Sequence, residues 1–142
     1  MSGQETRSGY RGYIASRPIA GNRTPQHIQN LVNREFAKQR ALPFKLSATE
    51  YAMSECFIVL NGLLSEIESY EGIILYSLFM LPKDAGQRRA IYDRALGANA
   101  VLYAAVEDFR IANAEDVERV ERIWNVANIL DACPRNVSAG IN

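Results

Sequence analysis

The sequence predicts an α/β fold of three layers, a parallel sheet of four to five strands with helices on both faces. Glu71 to Leu81, "EGIILYSLFML", is a nearly continuous apolar run, which suits a central parallel strand covered on both sides. Strand patterns and helix patterns alternate four times, which requires right-handed crossovers and so helices on either side of the sheet. The 142 residues, 48% hydrophobic and 23% charged, are enough for one core without staples. The expected organisation is a flexible polar arm over residues 1–10, one domain over 11–133 and a tail over 134–142.

The elements follow in order. Tyr10 to Ile19 reads as the first strand. "TPQHIQNLVNREFAKQR" reads as a helix with Thr24 as N-cap, Pro25 at the first helical position, and Ile28, Leu31, Val32, Glu35 and Phe36 on one face. "LPFKLSATEY" alternates Phe44 and Leu46 with Lys45 and Ser47, as a strand at a sheet edge does. The next helix places Phe57, Leu60, Leu64 and Ile67 on one face, with Ser54 as its cap.

The apolar run from Ile73 to Leu81 forms the third strand, and Pro82 stops it. "DAGQRRAIYDRALGAN" is an exposed helix with Ile91, Ala95 and Leu96 inward and Gly97 near its end. "AVLYAAVEDF" is the fourth strand, and the strand order is 2-1-3-4. A long helix from Asn113 to about Ala132 repeats Val117, Val120, Trp124, Ala127 and Asp131, with Ile123 and Leu130 widening that face. Surplus apolar surface around Trp124 and Leu130 suggests a homodimer.

Composition excludes several classes. The 16 basic and 16 acidic side chains cancel, which gives no global electrostatic reason to bind nucleic acid or an anionic membrane. No apolar run approaches the ~20 residues of a membrane span, and "MSGQETRSGYR" lacks the core of a signal peptide, so a cytoplasmic protein is expected. Cys56 and Cys133 have neither redox nor zinc spacing, and no His/Cys/carboxylate group has ligand spacing. No metal and no cofactor is expected.

"RGYIASRPIAGNRTPQHIQNLV", "LSATEY" and "EGIILYSLFMLP" resemble the sporadic carbohydrate cluster protein family of bacteria over about residues 10 to 125. That resemblance implies a setting in surface-carbohydrate synthesis, with no established reaction. A remoter similarity is to the catalytic domain of serine recombinases of the resolvase type, which implies a flavodoxin-like or resolvase-like sheet. There the first strand has the form Tyr-x-Arg-x-Ser, carrying the nucleophile, and a later strand leads into Leu-Asp-Arg-Leu. This sequence has Tyr13-Ile14-Ala15-Ser16-Arg17 and Leu78-Phe79-Met80-Leu81. A hydroxyl is present, but the Asp-Arg pair is not, and phosphodiester transfer requires cations that Phe79 and Met80 cannot supply.

In an open parallel α/β sheet, ligands bind outside the carboxyl ends of the strands. Those ends carry Ser16, Arg17 and Arg23, then Thr49, Glu50 and Tyr51, then Ser77 and Lys83, then Glu107 and Asp108. The Pro18 to Thr24 loop leads to a helix N-terminus, whose unpaired N–H groups favour an anion. Arg17 and Arg23 would add charged contacts, with Thr24, Tyr51 and Ser77 as further ligands. Ser16 is the candidate nucleophile, and Glu50 and Glu107 would serve as acid or base if they share a cleft. Arg17 could equally pair with Glu50 or Glu107 and do nothing but hold the loop. His27 reads as a surface or packing residue.

The functional expectation is a small protein of carbohydrate biosynthesis that binds, and could transform, an anionic sugar or sugar precursor. The alternative is a non-catalytic subunit docking on a biosynthetic enzyme. A DNA recombinase is disfavoured.

Overall fold

The computed structural model describes residues 8–53 and 55–132, which form two compact units, one ending at Ala112 and one beginning at Asn113. The first unit is built on a five-stranded sheet: β1 (Tyr10–Ala15), β2 (Phe44–Glu50), β3 (Gly72–Leu75), β4 (Val101–Ala104) and β5 (Phe109–Ile111), in the order β2-β1-β3-β4-β5. The pairs among the first four are parallel and give the expected 2-1-3-4 order. The fifth strand corrects the all-parallel expectation, because β5 pairs antiparallel with β4. "AVLYAAVEDF" is two strands joined by a turn, in which Asp108 takes φ 57° and its side chain pairs with Arg40. Aspartate tolerates that left-handed position better than the β-branched residues around it.

The central strand is shorter than its apolar run. Ile73, Ile74 and Leu75 are fully buried, and a side chain at Gly72 would sit 1.9 Å from the Val101 carbonyl, so this position accepts only glycine. Leu78–Met80 then curls into a 3-10 turn, where the Ser77 hydroxyl accepts from the Phe79 N–H at 3.1 Å. Leu78, Met80 and Leu81 remain buried. The run therefore reports burial at most of its positions, with Tyr76 and Phe79 half-buried, and strand only at its start.

The helices of this unit are α1 (Gln26–Gln39), α2 (Ile58–Ser65) and α3 (Ala85–Gly97). Tyr10, Ile74 and Tyr103 meet Phe36 and Ala37 of α1, while α2 and α3 pack with each other on the Tyr13 face. The buried face of α1 is Gln29, Asn33, Phe36 and Ala37, one position round from the expected Ile28, Leu31, Val32, Glu35 and Phe36. Ile28 and Leu31 are exposed. Pro25, not Thr24, stands at the N-cap, and no side chain caps the helix. α2 buries Leu60, Leu63 and Leu64; its expected cap, Ser54, lies outside the described residues. α3 buries Ile91 and Ala95 as expected, together with Arg88 and Tyr92, and Asp84 caps it.

Residues 1–7 of the expected arm and the expected tail lie outside the described residues. Gly9 and Tyr10 are held, since the Gly9 carbonyl accepts from Glu71 and the Tyr10 N–H donates to Pro43. The second unit contains α4 (Ala114–Ala132), capped as expected by the Asn113 side chain, which accepts from the Asp116 N–H at 2.9 Å. Val117, Val120 and Trp124 are buried, whereas Val126, Ile129 and Leu130 are exposed. Surplus apolar surface thus excludes Trp124. No helix among the described residues is long and apolar enough to cross a membrane.

Candidate functional site

The carboxyl ends of the strands divide by sheet face. Side chains alternate along β1, so Tyr13 turns towards α2 and Ile14 towards α1, and just past the strand's end Arg17 reaches the β2–α2 loop while Ser16 lines the α1 side. On the α2 side the Glu50 carboxylate is buried and accepts from the Tyr13 hydroxyl at 2.7 Å, from the Val59 and Leu60 N–H groups at 3.0 Å each, and from Tyr51 N–H at 3.2 Å. The Cys56 thiol lies 3.7 Å away. Glu50, at the end of β2, thus satisfies two of the orphan amides in the first turn of α2. Burial pushes its carboxyl up, but the hydrogen bonds from Val59, Tyr13, Leu60 and Tyr51 outweigh burial and hold it below the ordinary glutamate range. Burial and the Glu50 carboxylate push the Tyr13 phenol far up, so it stays a donor.

Arg17 reaches across the same side. Its guanidinium donates to the carbonyls of Cys56 at 3.0 Å, Met80 at 3.3 Å and Tyr51 at 3.5 Å, and lies 4.9 Å from the Phe57 ring centroid. Neither Glu50 nor Glu107 is its hydrogen-bond partner. Arg17 ties the β2–α2 loop to the turn after β3.

In the turn between β4 and β5, Glu107 accepts from the Ser77 hydroxyl at 2.7 Å and the Leu78 N–H at 2.9 Å, both just after β3. Ser77 is buried and Tyr51 is exposed. Among the described residues, Glu50 and Glu107 have separate hydrogen-bond partners, Glu50 at the start of α2 and Glu107 in the turn after β3. Among the described residues, no group of three His, Cys, Asp or Glu could hold a metal.

The α1 side is different. Ser16, Arg23, Thr24, His27 and Asn30 line an open groove of about 720 Å³ over Ile14 and Pro25. The loop entering it is a two-residue hairpin: Ile19 N–H donates to Asn22 at 2.8 Å and Asn22 N–H to Ile19 at 2.9 Å, around Ala20 at φ 51° and Gly21 at φ 81°. Left-handed geometry at both central residues defines the type I′ turn. Buried Ile19 anchors it, which leaves Arg23 exposed at the groove's rim. Among the described residues, nothing hydrogen-bonds or pairs with the side chains of Ser16, Arg23 or His27. No carboxylate among the described residues lines the groove.

Sequence reasoning missed Gln29 and Asn33, which are fully buried amides on α1. Gln29 accepts from Ala15 N–H at 3.0 Å and donates to the carbonyls of Ala15 at 2.6 Å and Thr24 at 2.8 Å. Asn33 donates to the Ile74 carbonyl at 3.3 Å. Their spacing of four was the available signal, masked by the apolar Ile28 and Leu31 beside them.

No family model matches this sequence, and no curated protein matches it. Solved structures do share its fold. The N-terminal catalytic domain of TP901-1 integrase is similar over 85% of this chain and 95% of its own, with a TM-score of 0.58 and 14% identity. A resolvase family site-specific recombinase from Streptococcus pneumoniae is similar over 84% of this chain and 88% of its own, with a TM-score of 0.60 and 10% identity. These likenesses overturn the expected role in carbohydrate biosynthesis, as enzyme or as accessory subunit. The fold-mates found are recombinase structures, and nothing ties the chain to carbohydrate. At these identities they establish the fold: this chain has the α/β architecture of a resolvase-type catalytic domain.

Proposed function

We propose that the chain is a resolvase-fold domain that binds a phosphate-bearing ligand in the groove between β1 and the start of α1, without cleaving a DNA strand. The observation that carries this reading is the contrast in side-chain commitment. Arg17, Glu50, Ser77 and Glu107 are engaged with the protein itself, whereas Arg23, Ser16 and His27 face an open groove with no partner among the described residues. Arg23 supplies the charge, Ser16 and Thr24 supply hydroxyl donors, and the uncapped first turn of α1 adds amides.

The Tyr-x-Arg-x-Ser pattern supports the non-cleaving part. Its three named residues alternate along one strand, and the matching positions here are Tyr13, Ala15 and Arg17, the last of them past the end of β1. Ser16 lies one residue early and on the opposite face, the arginine position is Ala15, and Met80, in place of the later arginine, is buried. The test is thermal denaturation with inorganic phosphate or sulfate at constant ionic strength. Millimolar anion raises the melting temperature of the native chain and not of Arg23→Ala. No protection of the native chain refutes the reading.

A second reading, strand transfer by Ser16, draws on the likeness to the integrase and recombinase structures. It requires a covalent protein–DNA adduct that Ser16→Ala abolishes. Absence of an adduct with nicked and duplex DNA rejects it. Self-association is a separate part of the proposal and rests on Val126, Ile129 and Leu130, exposed along α4. Light scattering reads a dimer that Ile129→Glu dissociates, or a monomer that removes this part.

A further inference from the structure

We infer that Gln29 is the positioning residue of the β1–α1 groove, an amide that fixes both of its walls without touching what binds there. The inference rests on the phosphate-binding reading for its purpose and on geometry for its substance. Gln29 is fully buried in the first turn of α1. Its Oε1 accepts from the Ala15 N–H at 3.0 Å, and its Nε2 donates to the Ala15 carbonyl at 2.6 Å. Ala15 immediately precedes Ser16, so this pair of bonds fixes where the hydroxyl leaves the strand. The remaining Nε2 proton goes to the Thr24 carbonyl at 2.8 Å, which holds the residue between Arg23 and Pro25. One planar amide therefore sets the end of β1 against the mouth of α1.

An apolar residue of similar size would fill the same volume, so packing alone does not explain glutamine at this position. Both carboxamide protons and the carbonyl oxygen are matched to backbone groups, which suits a side chain whose work is orientation. A local cap cannot do the same, because α1 has none: Pro25 occupies that position and no side chain bonds the helix start. Asn33, one turn further along the same buried face, serves as the internal comparison. It bonds β3 at Ile74 and lies away from the groove lining.

The experiment compares Gln29→Met with Asn33→Leu by backbone amide NMR and by phosphate titration of the full chain. Gln29→Met is expected to move the amide resonances of Ser16, Thr24, Gln26 and His27 and to speed hydrogen exchange of the Ala15 amide, which donates to Gln29, at least tenfold. Its affinity for inorganic phosphate should fall about tenfold. Asn33→Leu should leave the Ala15, Ser16, Thr24, Gln26 and His27 amides and the phosphate affinity as in the native chain. Should Gln29→Met not fold, Gln29→Ala, which removes the carboxamide without adding a buried charge, is read the same way. Unchanged Ala15, Ser16, Thr24, Gln26 and His27 amides in the glutamine variant overturn the inference, whatever phosphate does. If the native chain binds no phosphate while those amides move as expected, the phosphate reading falls and the positioning role stands.

Discussion

The two faces of the same strand ends differ in how their polar groups are used. On the α2 face, Glu50 takes four donors and a thiol contact, and Arg17 spans three carbonyls and an aromatic ring. On the α1 face, a serine, an arginine and a histidine point at an open groove. The residues with the strongest chemistry on paper hold the scaffold, while less conspicuous ones are available to a ligand. Charge and position at a strand end nominate a residue for a site, but its hydrogen-bond partners decide whether it is free to act.

The largest effect is expected at Glu50. Glu50→Ala leaves the Val59 and Leu60 amides and the Tyr13 hydroxyl without their acceptor, and each such buried donor costs ~1 to 3 kcal/mol. Urea denaturation should therefore show a loss of about 3 kcal/mol or more. A smaller loss means that water replaces the carboxylate and that the α2 face is less committed than described.

Arg17→Ala comes next, with a loss of about 2 kcal/mol from charged hydrogen bonds and the Phe57 contact, and no change in anion protection. An Arg17→Ala protein that melts like the native chain but loses anion protection would return Arg17 to the ligand site.

Acid provides a third test. The Glu50 carboxyl is depressed in the folded protein, so its contribution is complete above the unfolded glutamate value, about 4.3, and is lost as pH falls through the lower folded value. Melting temperature should fall more steeply below that pH in the native chain than in Glu50→Gln, whose side chain does not titrate. Parallel curves would assign the acid sensitivity to other carboxylates.

Much of the fold was legible because apolar burial writes a strong pattern. The run at Ile73, Ile74 and Leu75 predicts a central strand, and the alternation at Phe44 and Leu46 predicts an edge, which β2 is. The antiparallel β5 was not legible, because Ala105 to Asp108 carries no glycine or proline to mark a turn between two apolar strands. The face of α1 was misread because Gln29 and Asn33 spend their polarity on backbone groups of the sheet, which sequence periodicity scores as exposure. The site was legible to the level of strand ends. Which side chains were already committed depends on partners distant in sequence, such as Glu50 with Tyr13 or Ser77 with Glu107.

Ser16→Ala should have the smallest effect, within about 0.5 kcal/mol of native stability, with a several-fold weakening of phosphate binding. A cooperative loss of fold would place Ser16 with the scaffold residues instead.

The most direct measurement is a phosphate titration of Arg17→Ala and Arg23→Ala side by side, following melting temperature at constant ionic strength. The account predicts that Arg17→Ala melts lower than the native chain and keeps the full phosphate-dependent rise. It predicts that Arg23→Ala melts like the native chain and loses that rise, with affinity weakened roughly ten- to a hundredfold for one charged hydrogen-bonding partner. The opposite pattern, in which Arg23→Ala keeps the rise and Arg17→Ala loses it, would contradict the division of the strand ends into a committed face and a free one.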